Sequence, residues 1–145
     1  MRGYVVDASV AVKWLVTEPL SDEAATLLDP GVTLLAPDLL FAEAASALSA
    51  KCRRGEMDRE ELAETVNLLR AAPVASPLSM RQLAASSARL AADLGHAVYD
   101  CFYLALAIAE DFPVVTADTR FYDKVRKHPY LGDRVVHVAD MDVST

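Results

Sequence analysis

The chain has 145 residues, a hydrophobic fraction of 53% and a formal charge of −7. This length can bury a core, and the apolar content excludes a disordered chain. The acidic balance argues against broad nonspecific nucleic-acid binding, which shows as a basic surface, although carboxylates gathered in one pocket count in that sum until cations neutralise them.

Residues 4–7 (YVVD) read as a short buried strand, β-branched and without polar alternation. Residues 8–16 carry apolar side chains at helical spacing and stop near Glu18-Pro19. The apolar start is broken by Asp7 and Lys13, far short of the ~20 residues a membrane-spanning helix needs, so no leader or span is expected. A second helix begins at Ser21, with Asp22 and Glu23 suiting its N-terminus, and ends at the turn Asp29-Pro30-Gly31. Residues 32–36 (VTLLA) form a second strand, and Pro37 opens a long helix to about Arg54. Lys51, Arg53 and Arg54 face its negative end and Gly55 supplies the residue beyond it. Asp58 and Glu61 predict a capping box at the start of the next helix. A third strand is expected at 74–78, then a helix from Ser79 to Gly95.

Residues 99–112 are nearly all apolar, which marks a central, buried helix. A fourth strand at 113–116, a short helix at 118–127 and a fifth strand at 134–138 complete the chain. Strands alternating with helices imply a mostly parallel five-stranded sheet covered on both faces, in a single domain over 1–145. Cys52 and Cys101 form no metal or redox motif and read as unpaired thiols of a reducing, cytoplasmic compartment.

Ligands of open α/β sheets bind beyond the carboxyl ends of the strands. Asp7 ends the first strand and Asp118 follows the fourth by two residues; each also precedes a helix, where an aspartate can simply cap. Glu43 projects from a largely apolar helix face, where a charge must be paired, metal-bound or neutralised. Asp100 opens the central helix, either as a site residue or as a partner of the helix dipole. Four such carboxylates, if gathered, call for a hard divalent ion such as Mg²⁺ or Mn²⁺, and no His or Cys cluster suggests zinc.

VVDAS at 5–9, the glutamate in DLLFAEAASAL, AVYDCFYLALA at 97–107 and VVTADTRF at 114–121 resemble the PIN-domain nucleases, and most closely the VapC-type toxins of bacterial toxin–antitoxin pairs. The resemblance spans the whole chain and implies a three-layer α/β/α sandwich. It implies Asp7, Glu43, Asp100 and Asp118 as the catalytic, metal-binding acids; Asp7, Asp100 and Asp118 are expected to hold Mg²⁺ or Mn²⁺ directly or through water, and Glu43 to orient the attacking water or complete the shell. Ser9 and Thr116 match positions where the family often has a supporting hydroxyl. Arg120 stands where some members carry a further acid, which puts a second metal site in doubt, and Asp123 is the nearest substitute. The expected activity is metal-dependent endoribonucleolytic cleavage of tRNA or rRNA. The expected partners are the RNA, a VapB-like antitoxin and a second copy of the chain; no membrane is involved.

Residues 119–134 hold five basic side chains against two acids, and Arg120, Lys124, Arg126 and Lys127 among them are candidates for gripping phosphate; Lys51, Arg53, Arg54 and Arg59 form a second cluster. Trp14, Leu15 and Leu27 suit either a groove for the antitoxin or the ordinary core. A phospho-acceptor or dehalogenase-like domain would need a second acid beside Asp7, where Ala8 and Ser9 stand. The remaining alternative is a PIN-like module that binds metal or a partner without cleavage.

Overall fold

The computed structural model describes residues 2–143. Four parallel strands form its sheet: β1 (Arg2–Val6), β2 (Val32–Leu35), β3 (Val114–Thr116) and β4 (Val135–His137), in the order β2-β1-β3-β4. Helices flank the sheet in the α/β/α manner expected, because parallel strands require crossover connections that lay helices on the faces. The strand expected at 74–78, the third of five, is reduced to one bridge: Ala75 exchanges backbone hydrogen bonds with Leu34 and Ala36 at the outer edge of β2. Pro73 and Pro77 bracket that bridge, and proline cannot donate to a ladder.

The helices are α1 (Ala8–Leu15), α2 (Ser21–Ala25), α3 (Leu39–Arg53), α4 (Arg59–Arg70), α5 (Met80–Leu94), α6 (Val98–Glu110) and α7 (Thr119–Arg126). α3 starts two residues after Pro37 and ends as its basic last turn and Gly55, at φ 79°, predict. The Asp58–Glu61 capping box forms, and a second one joins Ser79 to Gln82 at the start of α5. Gly95 closes α5 in the left-handed conformation that L side chains disfavour. That turn delivers His96 and α6 toward the sheet.

The core gathers Val5, Val6, Val114 and Val115 from the central strands with Leu40, Leu48, Leu104 and Leu106 from α3 and α6. Gly3 lies against the Phe112 ring so closely that a Cβ there would clash, so a larger residue would have to displace the ring. Leu27 is buried in this core, with Trp14 and Leu15 packed against it; the Trp14 indole donates to the Ala24 carbonyl at 2.8 Å. Leu27 thus serves the interior, while Trp14 and Leu15 are only partly buried where they pack against it. No helix among the described residues is long and apolar enough to cross a membrane.

Candidate active site

The chain leaves β1 for β2 on one side, while β3 lies on the other, so the gap beyond β1 and β3 is the point where strand order reverses. Such gaps are where open α/β sheets hold ligands. The Asp7 amide donates to the Val115 carbonyl at 3.1 Å, tying the two strand ends together. A cleft of about 510 Å³ opens there, and Asp7, Glu43, Asp100 and Asp118 all line it. Four elements distant in sequence supply them: the β1–α1 junction, α3, α6 and the β3–α7 junction.

Asp7 is only 5% exposed. Its Oδ2 accepts hydrogen bonds from the hydroxyls of Ser9 at 2.6 Å and Thr116 at 2.9 Å. Those hydroxyls accept in turn from the backbone: Ser9 from the Ala117 amide and Thr116 from the Asp118 amide, both at 3.0 Å. Burial pushes the Asp7 carboxyl up to about 6; the two hydroxyls pull it down, and the charges of Asp100 and Glu43 raise it further. Asp7 occupies the N-cap position of α1 yet makes no side-chain cap bond.

Glu43, one face of α3, accepts from the Tyr103 hydroxyl at 2.6 Å. Burial raises its carboxyl, Tyr103 opposes that, and Asp100 adds to it. Burial, followed by the nearby Asp7 and Glu43, pushes the Tyr103 phenol well above its usual range, so it remains a proton donor to Glu43. Asp100 Oδ2 is hydrogen-bonded to His96 Nε2 at 2.6 Å, one turn away at the start of α6, and the imidazole leans on the Phe121 ring. Asp118 does cap its helix: its Oδ1 takes the amides of Arg120 at 3.0 Å and Phe121 at 3.2 Å.

Among the described residues, these hydrogen bonds engage a single oxygen of each acid: Oδ2 of Asp7 and Asp100, Oε1 of Glu43 and Oδ1 of Asp118. The donor set is all carboxylate, one oxygen of each is positioned by the protein, and Asp7 and Glu43 both feel the charge of Asp100. Those properties fit a hard divalent cation. No three His, Cys, Asp or Glu side chains among the described residues stand close enough to ligate one ion as placed. The acids face one cleft without closing on a common point.

The other expected residues divide. Ser9 lines the cleft beside Asp7, and Thr116 reaches the same carboxylate from β3. Arg120, Lys124 and Lys127 surround a separate recess with Asp123, while Arg126 donates to the Gly132 carbonyl at 3.0 Å. Lys124 is similarly committed, to the Gly95 carbonyl at 2.8 Å. Asp123 therefore lies with these bases and outside the acid cleft. Sequence reasoning missed His96 and Tyr103 as supports of the acids. His96 stands four residues before Asp100, a helical spacing that could have flagged the pair; the Glu43–Tyr103 contact joins distant segments and leaves no local signal. Cys101, next to Asp100, is held protonated by burial and that neighbouring charge, its thiol pushed up to about 11.

A parallel α/β/α fold with four carboxylates at its strand-order reversal offers an oxygen-donor cleft suited to a hard cation. The PIN domain matches residues 4–127, and the chain belongs to that family. Its structure is similar to PAE2754 from Pyrobaculum aerophilum, with 21% identity, a TM-score of 0.60, and coverage of 95% of this chain and 85% of the other. It is also similar to VapBC2 from Rickettsia felis bound to a DNA fragment from their promoter (15% identity, TM-score 0.63, coverage 93% and 98%). VapBC-1 from nontypeable Haemophilus influenzae gives 14% identity, a TM-score of 0.62, and coverage of 95% and 99%. At these identities the likeness establishes a shared fold. No curated protein sequence matches the chain significantly.

Proposed function

We propose that this chain is a divalent-metal-dependent endoribonuclease, the toxin of a toxin–antitoxin pair, cutting tRNA or rRNA in the cytoplasm. One observation carries the reading: four acids from four separate elements line a single cleft at the strand-order reversal. Family membership supports nuclease chemistry, and the toxin–antitoxin complexes among similar structures support an antitoxin partner. A homodimer completes the proposed assembly.

When bound, Mg²⁺ or Mn²⁺ supplies Lewis-acid activation of water and neutralises charge on the scissile phosphate. Asp7, Asp100 and Asp118 would hold the ion, with their side chains closing from the wider spacing they have in the cleft. Ser9 and Thr116 fix the rotamer of Asp7, and His96 fixes that of Asp100, because an acid held by outer partners ligates in one orientation. Glu43, held by Tyr103, orients the attacking water toward phosphorus.

The test is cleavage of purified tRNA and rRNA in Mn²⁺ or Mg²⁺, with fragment ends sequenced. Wild-type protein should release discrete products, chelation should stop the reaction, and Asp100→Asn should reduce it at least about a hundredfold, beyond the 10–100-fold typical of outer supporting groups. Undiminished cleavage by Asp100→Asn would overturn the acid-cleft assignment, and none by wild type with either ion would remove the enzymatic reading.

A further inference from the structure

The same cleft has a basic side that the four acids do not explain. Lys13 on α1 and Lys51 on α3 both line it, although their side chains are only 10% and 18% exposed. Lysine is rarely so covered without a paired charge. Between them stands Glu18, from the loop after α1. Its Oε1 lies 3.1 Å from the Lys13 ammonium and its Oε2 lies 3.2 Å from that of Lys51. Two ammonium groups on two different helices thus each take one oxygen of a single anion. Arg54 lines the cleft next to them, paired with Glu56, which also lies 3.7 Å from Lys51.

We propose that Lys13 and Lys51 form the phosphate grip of the site, and that Glu18 occupies the position of an RNA phosphate until substrate competes for it. The inference rests on the ribonuclease reading and names the part of the site that takes the strand beside the scissile bond. A cleft floored by four carboxylates repels a polyanion, so attraction must come from fixed cations along its wall. Lys13, Lys51 and Arg54 are the cations lining this cleft, whereas the α7 bases surround another recess. Two anionic oxygens shared between two ammoniums is also the arrangement a phosphodiester offers through its non-bridging oxygens. Glu18 keeps the lysines apart and aimed into the cleft, so the grip is formed before RNA arrives. Lys13 additionally donates to the Pro19 carbonyl at 2.8 Å, which fixes the loop that carries Glu18.

A fluorescein-labelled single-stranded RNA decamer, titrated with the chain in Ca²⁺ at several salt concentrations, tests this by fluorescence anisotropy. Glu18→Gln should tighten binding ~fivefold and steepen the slope of log affinity against log salt by about 0.7, the release expected per phosphate contact on a single strand. Lys51→Gln should weaken binding ~fivefold and flatten that slope by about 0.7, while Lys51→Arg retains most of the affinity. Glu64→Gln, an equal charge change on exposed α4, reports the effect of overall charge alone. Melting temperatures identify any variant whose loop has collapsed, and Lys51→Gln then decides the matter without Glu18. The proposal is overturned if Glu18→Gln binds no better than Glu64→Gln, or if Lys51→Gln binds as wild type does. Cleavage is scored separately in Mn²⁺: RNA binding that follows these variants in a chain that cuts nothing would leave the grip standing and sink the nuclease reading.

Discussion

Asp7 and Asp118 look equivalent from sequence, each following a central strand and preceding a helix, but their surroundings assign them opposite positions in the fold's energetics. At the β1 end, Asp7 sits in the N-cap place without capping; it is buried, and its bonds go to side-chain hydroxyls from α1 and β3. At the β3 end, Asp118 is half-buried and spends one oxygen on two amides of α7. Burial makes the charge of Asp7 a cost to folding, while Asp118 stabilises its helix with or without substrate. A carboxylate whose charge opposes the fold calls for a role outside folding, so the β1 end is the stronger mark of function.

The largest expected effect follows at Asp7. Asp7→Asn should lower RNA cleavage at least about a hundredfold, and should also make the metal-free protein more stable at pH 7. The folded-state carboxyl is raised from 3.8 to about 6, so the folded chain binds its proton more tightly than the unfolded chain does. The stability contributed by that proton is complete below about pH 4 and is lost as pH climbs through about 6. Asparagine has no such loss. Urea unfolding in chelator should therefore show the variant up to about 3 kcal/mol more stable at pH 7, with the gap closing toward pH 4. A variant less stable than wild type at pH 7 would mean that the ionised carboxylate is a structural support, and the contrast with Asp118 would fail.

Asp118 separates charge from capping. Asp118→Asn keeps an acceptor for the Arg120 and Phe121 amides and should lose cleavage with stability nearly unchanged; Asp118→Ala should lose cleavage and also ~1 kcal/mol of stability. Paired thermal melts and cleavage assays read both properties. If Asp118→Asn cleaves as well as wild type, Asp118 is a cap alone and the site is built on the other three acids.

How far this division could be read in the sequence depends on the range of the interactions concerned. The helix boundaries were legible because caps are local: Asp58 with Glu61, Lys51 to Gly55, and Asp118 before its helix. The four acids were legible as candidates because a charge on an apolar face, or just past a buried strand, is costly without a purpose. Tyr103 under Glu43 was not, since 60 residues separate them and a tyrosine in an apolar helix reads as core. The Lys13–Glu18–Lys51 bridge was hidden for the same reason: Lys51 reads as a partner of the α3 dipole, and only folding brings α1 beside it. The strand expected at 74–78 failed because its prolines, weak evidence by themselves, outweighed a short apolar run at the sheet edge.

The smallest effects belong to α7, the helix that Asp118 caps, whose bases differ in what they already hold. Lys124 and Arg126 already serve carbonyls at Gly95 and Gly132, whereas Arg120 and Lys127 are exposed. If the β3 end also guides RNA, Arg120→Gln and Lys127→Gln should each raise the RNA dissociation constant ~twofold and flatten its salt slope by about 0.7. Lys124→Gln and Arg126→Gln should act on stability instead, by less than ~1 kcal/mol, because their ammonium and guanidinium groups hold backbone. Anisotropy across a salt series, set beside melting curves for the same four variants, resolves these alternatives. Equal and negligible shifts in the salt slope for Arg120→Gln and Lys127→Gln would confine phosphate recognition to the α1–α3 wall, leaving α7 only the task of presenting Asp118.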